Sequence, residues 1–186
     1  MDEQLQRFIL EHELEQHAAE FGRRVQEEAQ SFKRHLKRSD NMPRLTQVRS
    51  LANALAPQGA ADTPSRRLAR LHELAAGQVQ RLKPPTLLPK PFTQMTLNEA
   101  DLPDKFWVYI AGRLGGLRMA NAGHPGELEH FWAKLRSRYG ERWPEHPDAE
   151  TETLIHLCLA ETFVYHLTET WEYSDPESEA HDETTL

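Results

Sequence analysis

Cysteine is almost missing from this chain of 186 residues. The single thiol, Cys158, excludes an intrachain disulfide and a structural zinc site built on cysteines. Val and Ile are scarce too, eight residues together, too few for the β-branched faces of a sheet. No apolar run approaches the roughly 18 residues a membrane-spanning helix needs, and the acidic opening Met1–Asp2–Glu3–Gln4 does not read as a signal peptide. The expectation is a cytoplasmic protein with no membrane contact. Gly-x-Ser-x-Gly, a phosphate-cradling loop and a dinucleotide-binding glycine pattern are all missing. Cys158 reads as a small buried hydrophobe, its apolar neighbours raising a thiol pKa rather than activating it. A chain of this kind is expected to be no enzyme and to carry no cofactor.

What remains is rich in helix formers and charge. Hydrophobic residues make up 38% and mean hydropathy is −0.72, lean for a globule but too apolar for a wholly disordered chain. The net charge of −7 is unevenly spread. Residues 1–21 hold one basic and six acidic side chains, residues 22–90 fourteen against five, and residues 91–186 seven against eighteen. Such a chain can neutralise its basic middle internally or within an oligomer, or present it to an acidic polymer.

The densest apolar stretch is Asp148–Trp171. Ten of the fourteen residues from Leu154 to Leu167 are apolar, with no Pro or Gly between them. That arc is wider than one amphipathic stripe, so the helix is expected to lie against several neighbours. Asp148 is placed as its N-cap, with Glu150 and Glu152 in the first turn. At the other end of the chain, Leu14, Ala18, Phe21, Val25, Ala29, Phe32 and Leu36 recur at steps of three and four, and Leu5, Phe8 and Ile9 extend the stripe upstream. They predict one long helix over 2–38, or two broken near Gly22, about 50 Å long at roughly 1.5 Å per residue. Few single cores cover such a length, so an antiparallel hairpin or a partner chain is expected. The opposite face is Glu, Gln, Arg and Lys, an outer face for solvent, a partner or nucleic acid.

Between these ends the punctuation is local. Ser39–Asp40–Asn41–Met42–Pro43 breaks the first helix, and Leu45, Val48, Leu51, Ala52 and Leu55 restart the period. Thr63 with Pro64 starts a third helix whose inner face is Leu68, Leu71, Ala75, Val79 and Leu82. Residues 84–91 (PPTLLPKP) form a stiff spacer, expected to be pinned to a surface by Leu87 and Leu88. Lys105–Met119 is the next helix; Gly112, Gly115 and Gly116 within it imply a close approach or an early end. Pro125 opens another, ending at Gly140. The acidic tail Ser174–Leu186 is expected to be disordered. The organisation is thus a basic helical part over 1–83, a spacer over 84–91, a helical bundle over 92–173 and the tail.

Phe106–Trp107–Val108–Tyr109–Ile110–Ala111–Gly112–Arg113–Leu114–Gly115–Gly116, followed by Gly126 and Trp132, resembles the C-terminal segment of bacterial insertion-sequence transposases. In that family the segment lies in or beside the dimerisation region, so the resemblance implies chain–chain contact near Trp107, Leu114 and Trp132. It covers about 30 residues. The family's acidic-triad nuclease domain has no room here, and Leu117 stands where the pattern has phenylalanine. Ser65–Arg66–Arg67–Leu68–Ala69–Arg70–Leu71 is similar to the same family's DNA-contacting helix.

Ten histidines raise the question of a metal. Glu127/His130 has the spacing of half a di-iron site; Glu152/His156 and Glu13/His17 stand four apart, and His166/Glu169 has the reverse order. Read as helix-surface pairs, with His156 and His166 as hydrogen-bonded core residues, they imply no metal. The basic residues Arg34, Lys37 and Arg38 on the first helix and Arg66, Arg67 and Arg70 on the third are the candidates for phosphate contact. Phe21, Val25, Phe32, Trp107 and Trp132 are the candidates for a protein partner or self-association. The sequence therefore reads as an all-α helical bundle with a long N-terminal amphipathic helix. Its expected function is that of a non-catalytic assembly factor or adaptor, with nucleic acid as a further candidate along the basic middle. The alternatives are a dimeric DNA-binding regulator of transposase descent and, behind it, a helical-bundle metalloenzyme.

Overall fold

A computed structural model describes residues 2–84, 86–93, 97–118 and 124–172; the acidic tail lies outside them. The architecture is all-α. Helices α1 (Glu3–Arg38), α2 (Leu45–Leu55), α3 (Pro64–Gln80), α4 (Phe106–Arg118), α5 (Glu127–Tyr139) and α6 (Ala149–Glu172) follow in order, with single 3₁₀ turns at Glu99–Asp101 and Gly140–Arg142. The local signals sit where the side chains place them. Thr63 Oγ1 accepts from Arg66 N–H with Pro64 in the first turn of α3, and Asp148 accepts from Thr151 N–H at 2.8 Å ahead of α6. Gly140 closes α5 at φ +61°, the left-handed region glycine enters without steric cost.

Helix α6 touches each of the other five helices, and its buried residues run from Ile155 to Trp171. Helix α1 continues unbroken through Gly22. A Cβ at that position would overlap the His166 imidazole of α6, so the glycine serves helix crossing rather than a break. Around Phe32 a ring cluster joins three helices: Tyr109 stacks on it at 4.0 Å between centroids, Phe106 at 6.4 Å, and Trp171 meets it edge-on at 6.1 Å. Aromatic pairs of this kind add about 0.5–1.5 kcal/mol each beyond their area. The proline-rich stretch does not separate two cores. Leu51, Leu71 and Val79 before it and Leu114, Phe131 and Phe163 after it belong to one buried cluster.

The polar face of α1 departs from expectation. Glu13 and His17 are not the surface pair expected: with Glu28 they are buried, because this face lies against α4 and α5. Glu13 accepts from Arg138 at 2.5 Å and Tyr139 at 2.7 Å. Glu20 pairs with Lys134 at 3.3 Å, and Arg24 donates to Glu127 at 2.6 Å. His17 Nε2 stands 3.0 Å from the same Glu127 oxygen, without the direction of a hydrogen bond. The Glu28 carboxylate accepts from Tyr109 OH (2.7 Å), Arg113 Nε (2.6 Å), Arg113 Nη2 and Leu97 N–H (2.6 Å). Positions 13, 17, 20, 24 and 28 form a second stripe beside the apolar one at helical spacing.

The spacer is pinned, though by other residues than expected. Leu87 is 89% exposed and Leu88 56%. Phe92 makes the anchor instead: its N–H donates to Gly112 O at 2.8 Å, and its carbonyl accepts from Arg113 at 2.7 Å. Gly112 and Gly116 of α4 are there for this approach. A Cβ on Gly112 would overlap the Phe92 ring, and one on Gly116 its carbonyl.

Candidate interaction surfaces

The six basic candidates divide by what they already hold. Arg38 pairs with Glu99. Arg67 pairs with Glu161 and donates to Leu55 O at 2.6 Å. Arg70 closes the α2–α3 connection, donating to Asp62, Ala54 O and Ala56 O. That hydrogen bond, then one from Gln58 N–H, holds the Asp62 carboxyl down at about 2. Arg34 reaches Ser31 at 3.1 Å, while Lys37 and Arg66 are exposed. Further bonds tie the basic middle to the acidic C-terminal part: Arg24 to Glu127, His35 to Asp104, Arg49 to Glu172. Much of the charge asymmetry is neutralised within the fold.

The five apolar candidates are all buried. Phe21, Val25 and Phe32 face α6 and α4, and Trp107 and Trp132 lie in the same core. As single-chain residues they cover one another, because α6, α4 and α5 pack along α1 and supply the cover a partner was expected to supply. The apolar side chains that do reach the surface are others. Leu5 is 51% and Phe8 68% exposed on the first turns of α1, and Tyr165 is 62% exposed on α6.

Two clefts flank α6. One, of about 340 Å³, lies between α2 and α6, with apolar lining from Leu55, Val164 and Tyr165 and charged lining from Arg67, Glu161, Glu169 and Glu172. The other, of about 390 Å³, is bounded by α3, α4 and α6. His72 and His156 meet there edge-on at 5.4 Å, beside an Arg118–Glu152 ion pair of 2.8 Å. Burial, then His72 and Arg118, push the His156 imidazole down to about 4, and burial lowers His72 likewise. Both Nε2 atoms are buried without a hydrogen-bond partner, so His156 is not the hydrogen-bonded core residue expected. His166 is part-exposed, with Nδ1 3.6 Å from Glu169.

Three of the four carboxylates in the histidine pairs are engaged elsewhere: Glu127 with Arg24, Glu13 with Arg138, Glu152 with Arg118. Among the described residues no three His, Cys, Asp or Glu side chains converge as metal ligands, and no helix is long and apolar enough to cross a membrane. Cys158 is half-buried, its thiol raised by burial and then by Glu161. The exposed tip of α1 was legible as an apolar stripe but not as a surface, since the stripe alone does not say where its cover ends. Comparison with protein-family models, curated proteins and solved structures gave no match.

Proposed function

We propose that this chain is a non-catalytic helical adaptor that docks on a protein partner through the first turns of α1. The observation that carries the reading is the exposure of Leu5 and Phe8 at 51% and 68%, three residues apart on one helix face. The buried residues of the same helix begin only at Glu13. A helix face of this kind is the ligand half of helix-in-groove recognition. Asp2, Glu3, Glu11 and Glu15 surround the apolar pair with only Arg7 in opposition, so the complementary surface is an apolar groove with a basic rim. The test is co-purification of partners with the wild-type chain and with a Leu5→Glu, Phe8→Glu variant. The reading requires a protein captured in stoichiometric amount, lost in the variant, and bound again when both components are purified. A partner indifferent to these two positions overturns it.

A nucleic-acid role, alone or in a dimeric regulator, would rest on Arg34, Lys37 and Arg66. These are exposed on α1 and α3, and with Arg38, Arg67 and Arg70 already paired they would give a log–log salt slope of about −3 at most on duplex DNA. A mobility shift at low salt, weakened by Gln at these three positions, would favour that reading over the adaptor.

A further inference from the structure

The proline-rich strap and the α2–α6 groove have matching chemistry on one molecule. Residues 74–98 contain no acid and three bases, Arg81, Lys83 and Lys90, all exposed. Between the bases the strap holds out Leu87 and Leu88, 89% and 56% exposed, although Phe92 anchors its end firmly on α4. Four prolines in eight positions stiffen it, so little conformational entropy remains to be lost on docking. The groove has the opposite character. Its floor is apolar, Tyr165 stands at its edge 62% exposed, and of its three carboxylates Glu161 and Glu172 are paired with Arg67 and Arg49, which leaves Glu169 to meet a base of the strap. An aromatic-edged groove with acidic margins is a common receptor for a stiff, proline-rich segment carrying bases.

We propose that the strap of one chain seats Leu87 and Leu88 in the α2–α6 groove of a second copy. The exposure of both leucines shows that the strap does not fill its own chain's groove. Strap and groove are different patches, so the interface is isologous when exchange is reciprocal and heterologous when docking is one-way. Reciprocal exchange closes a two-fold dimer, and one-way docking builds a ring or a chain. The inference is independent of the α1 tip, which stays free to meet a different protein.

Sedimentation of the full chain over a low to high micromolar series tests it. The wild type is expected to associate reversibly. Leu87→Ser with Leu88→Ser, and separately Tyr165→Ser, should each weaken association by roughly tenfold or more. Circular dichroism and melting should stay unchanged, because all three side chains are exposed. The decisive arm mixes the two variants. One retains the groove and the other the strap, so together they should form a heterodimer that neither forms alone. A wild type that stays monomeric throughout, an association indifferent to both variants, or a mixture that fails to associate overturns the proposal. Leu5→Glu with Phe8→Glu should leave this association intact, which separates its failure from that of the adaptor reading.

Discussion

The ring of Phe92 occupies the space a side chain at Gly112 would take, and its carbonyl the space of one at Gly116. Glycine in a helix interior costs about 1 kcal/mol relative to alanine, and here it avoids a clash with the Phe92 ring at one position and with its backbone at the other.

The sign of a Gly→Ala change should therefore differ between helices. Gly77, inside α3, has nothing within 4 Å of a Cβ, and Gly77→Ala should stabilise by up to about 1 kcal/mol. Gly116→Ala should destabilise by roughly 1–3 kcal/mol through overpacking, since the obstacle is backbone. Urea melts of the two variants check this; a stabilising Gly116→Ala would mean that the strap is not seated on α4.

Glu28 and Arg113 form a buried pair with Tyr109 completing it. Removing one partner leaves a buried charge, so Glu28→Leu or Arg113→Met alone should cost about 3–5 kcal/mol. The double replacement should recover a good part of that loss, while Tyr109→Phe should cost about 1 kcal/mol. Single variants within about 0.5 kcal/mol of wild type in equilibrium unfolding would contradict the burial of this pair.

His156 has a folded pKa of about 4 against an ordinary value of 6.5. Between those values the unfolded chain binds the extra proton, so stability falls as pH drops through this window and gains no further loss from this group below it. The loss is on the order of 3 kcal/mol. Wild type and His156→Gln share the carboxylate ion pairs, so their difference isolates the imidazole. The wild type should lose stability more steeply between pH 6.5 and 4, and parallel profiles would show that the ring is solvated.

The centre of stability should be α6. Phe163, fully buried against Tyr109, should cost roughly 3–5 kcal/mol on change to alanine. Tyr165→Ala, two residues along on the exposed face, should stay within about 0.5 kcal/mol. Thermal and denaturant melts of the pair measure how sharply the two faces differ.

Helices, caps and the central place of α6 were legible in the sequence because their causes are local. Apolar residues three and four apart, Thr63 before Pro64 and Asp148 before a first turn of glutamates each act within a few residues. The glycines of α4 were legible too, as a close approach without a named visitor. The visitor was a tertiary matter. Leu87 and Leu88 look like the better anchors in sequence, but only the path of the chain past α4 brings Phe92, twenty residues upstream of Gly112, onto the glycine face. The polar stripe of α1 was undecidable for the same reason. A Glu or Arg every third or fourth residue looks identical whether it meets water or Arg113, Glu127 and Arg138 from beyond position 100. Burial of a charge depends on a partner supplied from far along the chain, and periodicity carries no record of that partner. The packing of α4 and α5 on α1 assigned Glu13, His17 and Glu28 to the interior, and left Leu5 and Phe8 of the same helix outside it.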